Sequence, residues 1–119
     1  MDKERLIVAG IDYDDGVRRF AGRADLYEKF LVKIVGRDDL DKLKIMLEQK
    51  DYHQAFILTH TMKGEAGNLS MRRLYAVICE IVEELRNGEP KKDLLPLYQA
   101  ACQAYAVASA AIEQELTAK

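Results

Sequence analysis

The sequence predicts an all-α fold, most simply an antiparallel four-helix bundle with a short additional N-terminal helix packed on it. Apolar residues recur every three or four positions through most of the chain, as one face of an α-helix requires. β-branched residues never alternate with polar ones over the length of a strand. Aspartates precede and glycines follow several of the periodic segments, where helices commonly begin and end.

The first half of the chain contains the short helix and a longer periodic stretch. Asp12 suits the N-cap of the short helix, and Gly22 suits the position after its last turn. A second helix is predicted over residues 24–35. Beyond Gly36 the pattern resumes over residues 40–50, and the sequence leaves open whether this stretch is one bent helix or two.

The second half of the chain contains three more helices. The third covers residues 51–68 behind an N-cap aspartate, and the fourth covers residues 71–87 ahead of a glycine. The fifth begins between Pro90 and Asp93, and its apolar residues alternate in steps of four and three, the spacing of a bundle seam. The seam consists of Leu94, Tyr98, Ala101, Tyr105, Ala108 and Ile112.

Length and composition limit the class of protein. A chain of 119 residues suits one domain, so we expect a single helical domain over residues 1–119. Hydrophobic residues make up 49% and charged residues 32%, as in globular rather than disordered proteins. A net charge of -2 offers no general attraction for nucleic acid, and no apolar run approaches the roughly 20 residues that span a bilayer. We therefore expect a monomer with neither nucleic acid nor a membrane as its partner.

The cysteines and the N-terminus bear on the cellular compartment. Cys79 and Cys102 are the only cysteines, and both lie in apolar helical patterns. Two distant cysteines form neither a disulfide framework nor a zinc site, so we expect reduced core residues. The first ten residues contain too short an apolar stretch for a secretory signal, so the cytoplasm is the expected location.

The third helix carries the candidate site, because its two faces differ. A helix advances about 100° per residue, which places each side chain relative to His60. The core stripe opposite His60 consists of Ala55, Leu58, Thr59, Met62, Ala66 and Leu69. The residues within about 60° of His60 are His53, Phe56, Ile57, Lys63, Gly64 and Gly67. His60 is therefore predicted to point away from the core.

The residues beside His60 indicate a nucleophile that accepts an anionic group. Glycine inside a helix costs about 1 kcal/mol relative to alanine. Gly64 and Gly67 fit this face if a group must approach the imidazole closely, because the absent Cβ clears the way. Lys63 places an ammonium near the ring. A neutral imidazole can attack a phosphoryl group, which makes phosphate the first candidate.

Several simpler interpretations stand beside this one. A lone surface histidine usually has no function, and Phe56 and Ile57 are either an apolar docking patch or residues covered by the N-terminal helix. His53 and His60 lie about 10 Å apart along the helix axis, too far to bind one ion, so no metal site is expected. The sequence has no phosphate-binding glycine loop and no carboxylate cluster for magnesium. A partner must then supply an activated phosphoryl group and its metal.

At these residues the sequence resembles the histidine phosphotransfer (HPt) domain family. The stretch His60-Thr-Met-Lys-Gly-Glu-Ala-Gly-Asn-Leu69 is similar to the family signature around the phosphorylated histidine, with lysine and glycine three and four residues after it. The resemblance covers about residues 10–90, and the last helix agrees only in kind. Further similar positions are Gly10, Ile11, Asp12, Gly16, Arg19, Phe20, Leu26, Tyr27, Leu74 and the run Leu85-Arg-Asn-Gly88.

The resemblance implies a role for each matching residue. His60 corresponds to the phosphoacceptor, Lys63 to a charge partner and Gly64 to a residue that clears steric access. Gly67 and Leu69 match structural positions of the signature. Two positions depart from the pattern: Met62 stands where leucine is common, and Ser70 stands where glycine is common. Neither departure touches the phosphoacceptor, although Ser70 could alter the turn after the helix.

The resemblance also implies a phosphorelay with partner domains. A response-regulator receiver domain, free or within a hybrid sensor histidine kinase, docks on the His60 face, for which we expect contacts at Phe56, Ile57 and Gly67. His60 takes the phosphoryl group from an aspartate and passes it to another receiver. The receiver's magnesium serves both transfers, so the chain needs no cofactor of its own and is a carrier rather than an autonomous enzyme. Two alternatives stay open: the phosphoacceptor domain of a chemotaxis-type histidine kinase, and a helical adaptor without phosphate chemistry.

Overall fold

The structure, a computed structural model, describes residues 1–117, and these residues form seven α-helices. The all-α fold class is therefore confirmed. The helices are α1 (Lys3–Val8), α2 (Tyr13–Arg19), α3 (Ala24–Lys33), α4 (Asp39–Glu48), α5 (Tyr52–Asn68), α6 (Arg72–Leu85) and α7 (Leu95–Thr117). None of these helices is both long enough and apolar enough to cross a membrane.

The N-terminal region contains two short helices where the sequence predicted one. The predicted helix is α2, and the Asp12 carboxylate caps it by accepting a hydrogen bond from the backbone N–H of Asp15 at 3.1 Å. The helix that was missed is α1, which Asp2 caps in the same way. It has six residues and buries only Leu6 within its bounds, so it is too short to show an apolar period.

The stretch around Gly36 forms two helices rather than one bent helix. Gly36 has a φ of +81°, a left-handed conformation that no α-helix continues through. Helix α3 ends at Lys33, two residues earlier than predicted. The Tyr105 hydroxyl of α7 donates to the Ile34 carbonyl at 2.7 Å and accepts from the Arg37 N–H at 2.9 Å. Helix α7 thus satisfies backbone groups of the connecting loop.

The last three helices follow their sequence signals closely. Asp51 caps α5 by accepting from the Gln54 N–H at 3.2 Å. Helix α7 begins at Leu95, slightly beyond the predicted start, after the Asp93 carboxylate accepts from the Leu95 N–H at 3.0 Å. Pro96 then lies in the first turn, where its missing N–H breaks no helical hydrogen bond.

The core lies among helices that contact one another around α5 and α7. Helix α5 packs against α4 and α6, and α7 packs against α6, α4, α3 and α1. The predicted core stripe of α5 is buried, except that Leu58 is only partly buried. In the α7 seam the two tyrosines are partly buried and the other residues are buried. The helical periods therefore identified the inward faces correctly.

The turn after α5 is tied to α2 by Ser70. This buried residue has a φ of +53°, the left-handed conformation that glycine adopts readily, so the turn keeps the geometry a glycine would allow. The Ser70 hydroxyl donates to the Asp15 carboxylate at 2.6 Å, and the Ser70 carbonyl accepts from the Asp12 N–H at 2.9 Å. The hydroxyl of Ser70, followed by the guanidinium of Arg19, holds the pKa of Asp15 well below its usual range. These bonds connect the end of the candidate helix to the N-terminal region.

The cysteines lie at the edge of the core rather than inside it. Both are free thiols, as predicted, but Cys79 and Cys102 are only half-buried. The neighbouring residues Ile78 and Ala101 occupy the fully buried positions of α6 and α7. Each cysteine is one residue further around its helix, which turns its thiol partly toward solvent.

We expect the protein to lose stability at alkaline pH because of three tyrosines. Burial raises the pKa of Tyr98 to about 12, and burial with a hydrogen bond to Glu28 raises that of Tyr13 to about 12. Burial also raises the pKa of Tyr27. An unfolded tyrosine ionises near pH 10. The protonated phenols therefore stabilise the fold fully below about pH 10, and this contribution is lost as the pH rises toward 12.

Urea unfolding between pH 8 and 11.5 measures this effect. The unfolding midpoint should fall above about pH 10, together with the appearance of tyrosinate absorbance. Replacing Tyr13 with phenylalanine should make the fall less steep. A midpoint that stays constant over the whole range would contradict the expectation.

Candidate functional site

His60 is exposed in the middle of α5. Thr59 on the opposite face of the helix is fully buried, and its hydroxyl donates within α5 to the Ala55 carbonyl at 2.8 Å. Met62 is buried on the same side. The backbone that carries His60 is thus held by core packing while its imidazole reaches solvent.

Lys63 lies three residues after His60 and is half-buried. Among residues 1–117, no carboxylate oxygen lies within 4 Å of its ammonium, so Lys63 forms no salt bridge there. Its charge nevertheless contributes, after hydrogen bonding by Arg86, to the lowered pKa of Glu83 on α6. Lys63 therefore lies on the same side of α5 as His60, about one turn further along the helix.

Gly64 borders open space on the same face. A Cβ built at this glycine would meet no heavy atom within 4 Å, apart from its own chain neighbours and helix backbone. Packing inside the protein therefore does not require a glycine here. The absence of a side chain instead leaves the approach to His60 open, one turn along the helix.

Gly67 is explained by packing, in contrast to Gly64. A Cβ at Gly67 would lie 3.2 Å from Cε2 and 3.4 Å from Cδ2 of the Tyr75 ring on α6. The ring occupies the space that a larger residue would need. The two glycines of the sequence pattern thus differ in their surroundings: Gly64 opens the surface, and Gly67 lets α6 approach α5.

The apolar residues beside His60 differ in exposure. Ile57 is 45% exposed, so the short N-terminal helices leave it open to solvent. Phe56 is half-buried and packs against the core, and its ring centroid lies 5.9 Å from that of the His60 imidazole. The interpretation in which the N-terminal helix covers both residues is therefore wrong for Ile57.

Glu83 on α6 and Arg86 directly after that helix also lie next to this face, and the sequence predicted no role for either. The Arg86 guanidinium contacts the Phe56 ring, with Cζ 5.8 Å from the ring centroid. Glu83 pairs with Arg86 at 2.7 Å. Their spacing of three residues predicts the ion pair, but nothing in the sequence predicts its contact with α5.

Within the described residues, no group of three or more histidine, cysteine, aspartate or glutamate side chains is arranged to hold an ion. His53 is exposed two turns before His60 on α5.

Comparisons with known proteins add no identification. No family model, no curated protein and no solved structure matches the chain. The site itself combines an exposed imidazole, a lysine on the same side of α5 and open space at Gly64.

Proposed function

We propose that the chain is a histidine-containing phosphotransfer module that carries a phosphoryl group on His60. The observation that carries this proposal is the exposed imidazole on a rigid helix, with Lys63 beside it and open space at Gly64. The helix contacts also support the proposal: α4 contacts α5, α5 contacts α6, α6 contacts α7, and α7 contacts α4. This ring of contacts is what an antiparallel four-helix bundle has, with α1, α2 and α3 packed around it.

The chemistry needs one nucleophile in this chain. A lone pair of the neutral imidazole attacks the phosphorus of an aspartyl phosphate, so that a P–N bond forms and the P–O bond to the aspartate breaks. The freed carboxylate takes the electron pair of that bond. The Lys63 ammonium offsets negative charge on the phosphoryl oxygens during this step. The reverse reaction with a second aspartate returns the imidazole to its starting state.

The partner supplies the phosphoryl donor and the metal ion. A response-regulator receiver domain, on its own or in a hybrid sensor kinase, brings the aspartyl phosphate and the magnesium ion. The chain then acts as a cytoplasmic, monomeric carrier and not as an autonomous enzyme. Ile57 and the half-buried Phe56 form an apolar area beside His60 on which such a domain docks, with Gly67 further along the helix.

Replacement of His60 with glutamine tests the proposal directly. The wild-type chain, incubated with phosphorylated receiver domains, should gain an acid-labile, base-stable label, and the His60→Gln variant should gain none. His53→Gln is the matched control, because it removes the other exposed histidine of the same helix. A labelled His60→Gln variant, or a folded wild type that no receiver or kinase labels, would overturn the proposal.

Replacement of Lys63 with alanine should slow phosphoryl transfer roughly tenfold without preventing it. The reason is that a charge-assisted contact contributes about 1.5 kcal/mol, whereas the nucleophile itself remains. Single-turnover transfer rates from a phosphorylated receiver measure this effect. Lys63→Arg keeps the positive charge, so its transfer rate should fall less than that of Lys63→Ala. An unchanged rate in the alanine variant would remove Lys63 from the transfer step.

The exposed Ile57 also favours a second candidate, an adaptor that binds partners without phosphate chemistry. In that case His60→Gln would leave partner-dependent signalling intact, while Ile57→Asp would abolish it. The source of the label distinguishes the relay intermediate from the other alternative, the phosphoacceptor domain of a chemotaxis-type histidine kinase. A chemotaxis-type phosphoacceptor takes its phosphate from a kinase catalytic domain with ATP, whereas a relay intermediate takes it from a receiver.

A further inference from the structure

The end of α6 presents a fixed ion pair beside the His60 face of α5. Glu83 accepts hydrogen bonds from two nitrogens of Arg86, from Nη2 at 2.7 Å and from Nε at 3.3 Å. A guanidinium held through two nitrogens has a defined plane as well as a defined position. The Glu83 carboxylate therefore favours one orientation of the Arg86 guanidinium, and both side chains are largely exposed.

A chain of contacts leads from this ion pair to the reactive ring. Arg86 Cζ lies 5.8 Å from the centroid of the Phe56 ring, within the range of a cation–π contact. The Phe56 ring in turn lies 5.9 Å from the His60 imidazole, at an interplanar angle of 43°. Phe56 precedes His60 by four residues, so the two rings are neighbours on one face of α5.

The same carboxylate is also close to the second group of the site. The pKa of Glu83 is lowered first by hydrogen bonds from Arg86 and to a smaller extent by the charge of Lys63. The Glu83 carboxylate therefore bonds directly to Arg86 and lies within electrostatic range of the Lys63 ammonium.

We propose that Arg86, held by Glu83, is a positioning residue for His60. Its guanidinium restrains the Phe56 ring, and that ring restrains the imidazole in the orientation in which an approaching phosphorus meets the nitrogen lone pair. Arg86 itself does not touch the phosphoryl group. This inference rests on the proposed phosphotransfer function. Without Arg86, the imidazole spends a smaller fraction of its time in the productive orientation. The transfer rate falls in proportion to that fraction.

The rate of labelling by phosphoramidate tests this role without a protein partner. Arg86→Gln and Phe56→Leu should each react about two- to fivefold more slowly than the wild type, the size expected for an exposed cation–π contact. The double variant should react no more slowly than the slower single variant, because both changes remove the same chain of contacts. Glu83→Gln should change the rate in the same direction. Glu113→Gln removes the same charge from an exposed position of α7 and should leave the rate unchanged.

The ring-proton resonances of the two histidines give a readout that a loss of stability alone does not produce. In Arg86→Gln the His60 resonances should move, whereas those of exposed His53 on the same helix should stay. Unmoved His60 resonances in Arg86→Gln, or rate losses that multiply in the double variant, would overturn the positioning role. A wild type that phosphoramidate does not label would instead count against the phosphotransfer function, and the His60 resonances would still decide the role of Arg86.

Discussion

Replacement of Gly16 with alanine should destabilise the protein by about 3 kcal/mol, the upper end of what overpacking commonly costs. A Cβ at Gly16 would lie 2.2 Å from Cε1 and 2.3 Å from Cζ of the Tyr27 ring. Tyr27 is fully buried, and its hydroxyl donates to the Leu69 carbonyl at 2.7 Å. The ring cannot move away without losing that bond, so the overlap must be relieved by separating α2 from α3.

Thermal and urea unfolding measure this loss. A change of about 3 kcal/mol in a domain of this size lowers the midpoint of thermal unfolding by roughly 10–15 °C. The same substitution at Gly64 is the control, because that helical glycine borders open space. There alanine should stabilise the helix by about 0.5–1 kcal/mol through its higher propensity. A Gly16→Ala variant as stable as the wild type would show that Tyr27 has room to shift.

The contact between Gly16 and Tyr27 also connects the N-terminal region to the candidate site. The Tyr27 hydroxyl satisfies the carbonyl of Leu69, directly after α5 ends, and Ser70 bonds to Asp15 in α2. The turn that follows α5 is therefore held from two sides by α2 and α3. Residues of α2 and α3 thus support the end of the helix that carries His60.

The elements and faces that the sequence predicted correctly are the ones that local spacing determines. Helix α5 matches its predicted residues because Asp51 caps it and because apolar residues repeat along its inner face. The exposed position of His60 follows from the same period. In contrast, α1 is too short to have a period, and Gly36 was compatible with either a bend or a break.

The parts that the sequence did not predict depend on contacts between helices. Gly64 and Gly67 look alike in the sequence, yet Tyr75 fills the space beside only one of them. Arg86 reaches Phe56 only because α6 packs against α5 in one register. A spacing rule describes one helix at a time, so it contains no information about which residue of a neighbouring helix lies across the contact.

Replacement of Gly64 with valine should slow phosphoryl transfer from a receiver domain at least about a hundredfold, equivalent to roughly 2.7 kcal/mol, while the protein stays folded. The branched side chain would project into the open space one turn from His60, through which a docking domain approaches. Folding should tolerate it, because a Cβ there meets no other part of the chain and valine is no worse than glycine in a helix.

A series of substitutions separates steric access from damage to the nucleophile. Gly64→Ala should transfer at a rate between those of wild type and valine, although it is the more stable protein. Phosphoramidate, a small donor, should still label His60 in the valine variant, because the side chain obstructs a docked domain and not the imidazole itself. Transfer from a receiver at the wild-type rate in Gly64→Val would show that the open space has no part in docking. Loss of labelling by both donors would place the effect on the imidazole, and Gly64 would then influence the nucleophile rather than access to it.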